Sequence, residues 1–122
     1  MSTAGLDPTS DAPLNGPVTG TLETLAGTIA ARRGEDPTSS YVAKLIGSGA
    51  PFVARKLGEE AIETVVAALS GDADALTSEA ADLLFHLLVL LETRGVPFSA
   101  VLGELDRRAG VSGIAEKAGR GA

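Results

Sequence analysis

Residues 52–94 read FVARKLGEEAIETVVAALS GDADALTSEAADLLFHLLVLLETR, and this stretch decides the fold. Val53, Leu57, Ala61, Val65 and Ala68 recur at helical spacing, so a long helix is expected from about Phe52 to Leu69. Ser70-Gly71-Asp72 interrupts it, and Asp72 or Asp74 can cap a second helix from about Ala73 to Arg94. So short a turn makes the two helices antiparallel neighbours.

The flanks read the same way. Thr21 can cap a first helix whose apolar face is Leu22, Leu25, Ile29 and Ala30, ending at Arg32-Arg33-Gly34. Glu35 to Ser39 is a loop containing Pro37. Ser39 to Ile46 is a short helix stopped by Gly47 and Gly49, and Pro51 sits where a helix-starting proline belongs. Gly95-Val96-Pro97 closes the second long helix, and Ser99 can cap a last one over Ala100 to Ala109. No strand alternation competes and no repeat recurs, so the chain is all-α.

Its 122 residues fit one domain. Residues 1–18, MSTAGLDPTSDAPLNGPV, are rich in Pro, Gly, Ser, Thr and Asp and are expected to be a disordered extension. The folded domain then covers residues 19–122. Leu83 to Leu91 is apolar nearly all round, and a helix of that kind needs burial on every side. One copy with so few helices covers it poorly, so a homodimer with a shared four-helix-type core is expected.

Composition narrows the chemistry. With no Cys, thiolate metal sites and disulfides are excluded, and a single His argues against His-rich zinc catalysis. A formal net charge of −6 argues against a nucleic-acid surface. The apolar run at Leu83 to Leu91 is far shorter than a membrane span, and residues 1–20 lack the basic start and apolar core of a signal peptide. A cytoplasmic protein with no membrane partner is the expectation.

The acidity is partly local. Glu60 and Glu63, spaced i, i+3, share one face of the first long helix with Lys56; Glu79, Asp82 and His86 share one face of the next. Facing carboxylates among aliphatic side chains repel and lose hydration, and a divalent cation relieves both penalties. Oxygen ligands without thiolate favour Mg²⁺ or Mn²⁺ over zinc. An i, i+3 acid pair is commonly just a solvated face, Lys56 can simply pair with Glu60 one turn on, and His86 can be a hydrogen-bonded core ring. Tyr41 and Lys44, on the short helix, read equally as packing and surface charge. Glu59 lies about 100° round from Glu60 and is either an exposed acid or a base beside the cage.

Three segments together resemble the phosphoribosyl-ATP pyrophosphohydrolase family: Ser40-Tyr41-Val42-Ala43-Lys44-Leu45, Lys56-Leu57-Gly58-Glu59-Glu60-Ala61-Ile62-Glu63, and Glu79 to Val89. The tail Ser112-Gly113-Ile114-Ala115-Glu116-Lys117 is also similar to that family's ending. The paired E-x-x-E and E-x-x-D motifs alone are shared with the wider MazG-like all-α nucleotide pyrophosphohydrolases. The resemblance implies hydrolysis of phosphoribosyl-ATP to phosphoribosyl-AMP and pyrophosphate, the second step of histidine biosynthesis, with Mg²⁺ as cofactor. Lacking Cys, the chain resembles the stand-alone enzyme rather than a fusion with a zinc cyclohydrolase. Under this reading Glu60, Glu63, Glu79 and Asp82 hold the metal. Lys44, Arg55 and Lys56 neutralise substrate phosphates, Glu59 accepts the water's proton, and Glu63 is catalytic as well as metal-holding. A house-cleaning triphosphate pyrophosphohydrolase and a non-catalytic helical dimer are the alternatives.

Overall fold

Glycine and proline set the helix boundaries. The computed structural model describes residues 20–109, which form five helices and no strand. They are α1 (Thr21–Arg32), α2 (Tyr41–Gly47), α3 (Ala50–Ser70), α4 (Ala73–Thr93) and α5 (Phe98–Ala109). The fold is all-α and MazG-like. The expected N-terminal extension and the C-terminal tail motif lie outside the described residues.

α2 starts where Ser40 Oγ accepts the Ala43 N–H at 3.1 Å, a side-chain cap on a residue only 3% exposed. Pro51 falls in the first turn of α3, where its missing N–H costs nothing. The turn between α3 and α4 needs Gly71, whose φ of +82° is left-handed. Asp72 then caps α4, its Oδ1 accepting the Ala75 N–H at 3.1 Å.

Two expected caps are not used. Gly20 precedes α1 and no side chain caps it, so Thr21 is the first helical residue. Ser99 lies inside α5, because Ala100 N–H already donates to Pro97 O at 2.9 Å and the turn begins there.

The core is built from Ile29, Val42, Leu45, Val53, Leu88 and Val89, with Leu22, Leu25, Phe85 and Phe98 among those packed against it. Burying each such aliphatic chain contributes roughly 1.5–3 kcal/mol. Arg33 ties the end of α1 to the end of α4, donating to the Glu92 carboxylate at 2.9 Å and its carbonyl at 2.8 Å.

α3 and α4 form the antiparallel hairpin that positions the acidic residues. The inward stripe of α3 differs from the expected one. Val53, Glu60 and Ala67 are buried, while Val65 is 54% exposed and Ala68 is exposed too. From Ala61 to Leu69 the helix is apolar on more than one face, so spacing alone could not select the stripe. On α4 His86, Leu88 and Val89 are buried but Leu84 is 42% exposed. No single described helix is long and apolar enough to cross a membrane, and α4 with α5 reaches that length only across a 112° bend.

Candidate active site

The i, i+3 spacing turns Glu60 toward α4 and turns Glu79 and Asp82 back toward α3. One carboxylate oxygen from each of Glu60, Glu79 and Asp82 lies within 4.8 Å of the others. Glu60 is 9% exposed, Glu79 is half-buried and Asp82 reaches solvent. Oε1 of Glu60 and Oε1 of Glu79 are buried and have no hydrogen-bond partner. An unpaired buried carboxylate oxygen is costly, and two beside each other are costlier. A divalent cation satisfies both oxygens at once, so the donor set fits a hard metal ion.

Glu63 stands outside this three-residue group. It is exposed on α3, and its carboxyl lies against Glu79 across an open depression lined also by Ile62, Val66, Ala67, Ser70 and Ala75. The Glu79 carboxylate, by hydrogen bonding and by its charge, holds Glu63 above the usual carboxylate range.

The basic residues divide into two places. Arg55 and Lys56 approach Glu59 at 3.9 and 3.7 Å, on the exposed side of α3. Lys56 thus meets Glu59 rather than Glu60. Arg55 also lies 5.3 Å from the Phe52 ring centre, a cation–π distance. Lys44 is apart from both, on α2, where it borders a depression of about 510 Å³ with Pro37, Thr38, Ser39, Ser40 and Tyr41.

His86 is buried one turn after Asp82. Its Nδ1 lies 2.8 Å from the Asp82 carbonyl oxygen, an acceptor, so Nδ1 carries a hydrogen. That Nε2 is buried without a partner. Phe85 meets the His86 ring edge-on at 5.1 Å, and Tyr41 stacks on Phe85 at 6.2 Å. Phe85 lies in the Glu79 to Val89 segment that carries the family resemblance, but the sequence reading assigns it no site role. Its position three residues after Asp82, on the same helical face, is the signal that marks it.

Comparison with known proteins converges on one family. The profile described as phosphoribosyl-ATP pyrophosphohydrolase matches residues 22–109. The chain is 64% identical over 103 residues to a phosphoribosyl-ATP pyrophosphatase of Rhizorhabdus wittichii, covering 84% of this chain and 97% of that protein. It is 61% identical over 101 residues to one of Erythrobacter litoralis, at 83% and 97% coverage. It is 60% identical over 99 residues to one of Novosphingobium aromaticivorans, at 81% and 92%.

Proposed function

The chain belongs to the phosphoribosyl-ATP pyrophosphohydrolase family, and from that premise we propose how its residues carry out the reaction. It hydrolyses phosphoribosyl-ATP to phosphoribosyl-AMP and pyrophosphate, the second step of histidine biosynthesis. Glu60, Glu79 and Asp82 hold a divalent cation, which we take to be Mg²⁺, with Mn²⁺ as a substitute. When bound, such a cation neutralises phosphate oxygens and makes a water a better nucleophile.

The protein residues do the rest. Water attacks at the α–β anhydride, the bridging P–O bond breaks, and pyrophosphate leaves. Glu59, the expected proton acceptor, is drawn toward Arg55 and Lys56, whereas Glu63 faces Glu79 beside the cluster and is the better placed of the two to take the proton. Glu63 also stands close enough to Glu79 to serve as a fourth metal ligand. Lys44, Arg55 and Lys56 supply positive charge to the substrate phosphates, the principal lever in phosphoryl transfer. The negative charge elsewhere suits a small nucleotide rather than a nucleic acid.

A second copy completes the core. Ile62, Val65, Val66 and Leu69 on α3 and Leu84 on α4 are all at least 42% exposed in one copy. An apolar stripe of this kind on two neighbouring helices is suited to a four-helix interface between copies. The proposal places this homodimer in the cytoplasm.

The observation that carries this reading is the close approach of Glu60, Glu79 and Asp82 with two orphaned buried oxygens. Glu79→Gln and Asp82→Asn test it. Each is expected to abolish pyrophosphate release and the rise in Tm on adding Mg²⁺. Retention of both properties would reject the assignment.

A further inference from the structure

Tyr41 is 54% exposed although it follows a buried capping residue on an ordered helix. One face of its ring is backed by Phe85, with the planes only 13° apart. Phe85 in turn abuts His86, and His86 is pinned to the Asp82 backbone. Three rings in series thus run from beside Asp82 to an exposed aromatic surface. Phe85 follows Asp82 by three residues, a rise along α4 of roughly 4.5 Å.

The ring borders a depression of about 510 Å³, within the usual scale of small-molecule sites. Lys44 borders the same depression one turn further along α2. It is exposed, and its ammonium forms no ion pair among the described residues. A π-face and an unneutralised cation side by side match a base that carries phosphate. The cleavage step itself makes no use of the π-face.

We propose that Tyr41 is the platform on which the purine of the nucleotide substrate stacks, with Lys44 beside it to take a phosphate of the same molecule. This rests on the reaction proposed above and adds the residue that reads its base. The stacking of Phe85 on one face matters because a ring with fewer free orientations loses less freedom when the base arrives on the other. With the phosphates at the cluster, Phe85 stands about a turn along α4 from Asp82, and its ring centre is 6.2 Å from that of Tyr41.

Tyr41 is the sole tyrosine and there is no tryptophan, so intrinsic emission reports this ring alone. The probes are AMP, ribose 5-phosphate and inorganic pyrophosphate, titrated without metal. AMP is expected to quench the emission saturably, and the other two are expected not to. Tyr41→Leu, which keeps apolar cover over Phe85, should raise the KM for phosphoribosyl-ATP about tenfold, with the loss mainly in KM rather than kcat. Tyr41→Phe should restore it. Unchanged emission with AMP, equal quenching by pyrophosphate, or a wild-type KM in Tyr41→Leu would overturn the platform. So would dissociation of a dimer by Tyr41→Leu, which would mean the ring is covered by a second copy. If the wild type releases no pyrophosphate, the reaction is wrong, yet AMP quenching still decides whether the platform exists.

Discussion

The carboxyls of Glu63 on α3 and Glu79 on α4 meet across the helix hairpin, and hydrogen bonding with Glu79, followed by its charge, raises the proton affinity of Glu63. The folded protein therefore binds the Glu63 proton more tightly than the unfolded chain, whose ordinary value is 4.5. The stabilising contribution is complete below that value and is lost as pH rises through the higher folded value. In metal-free protein at low salt, this part of the stability should fall with rising pH. Glu63→Gln should remove it, as read from Tm against pH in chelator. Glu104 has the opposite sign: Arg107 and Arg108 hold it at about 2, so its contribution disappears only as pH falls through that region.

Glu60 is the most buried acid of the cluster, and its orphaned Oε1 is a cost in the absence of metal. Glu60→Leu should therefore stabilise the metal-free protein by about 1–3 kcal/mol. The same variant should lose both turnover and the Tm increase on adding Mg²⁺. Calorimetry in chelator and in Mg²⁺ separates the two effects, and a destabilised metal-free variant would count against an unpaired Glu60.

Val66 is 61% exposed in one copy, so a charge there should leave the fold of that copy intact. The wild type is expected to sediment as a dimer and Val66→Glu as a helical monomer. A variant that still sediments as a dimer would place the interface elsewhere.

Ser40 caps α2 through the Ala43 N–H and sets the backbone that presents Tyr41 and Lys44. Ser40→Ala leaves that N–H unpaired at a buried site, and should cost about 0.5–2 kcal/mol. Denaturant midpoints at unchanged m-value check this.

The sequence disclosed the helices well where punctuation was local. Gly71 by its backbone, Asp72 by its capping side chain and Pro51 by its fixed φ each act locally, and their positions mark the α3–α4 turn and the start of α3, whereas Ser40, read as helical, is the cap of α2. It disclosed less where several faces were alike. Val65, Val66, Ala67 and Leu69 offer α3 more than one apolar side, and only packing against α4 selects the one holding Ala67. The carboxylates on α3 and α4 were legible because spacing and a two-residue turn bring them together. Lys56 could reach Glu59 or Glu60 at similar cost, so spacing did not fix its partner. The Tyr41–Phe85 stack joins residues far apart in the chain, and no local pattern encodes such a pairing.

The most direct test of the central claim is pyrophosphate release from the purified protein, with and without Mg²⁺. It should compare phosphoribosyl-ATP with ATP, dCTP and dUTP. The account predicts Mg²⁺-dependent release with strong preference for phosphoribosyl-ATP. Preference for the plain triphosphates, or no release from any of them, would contradict it.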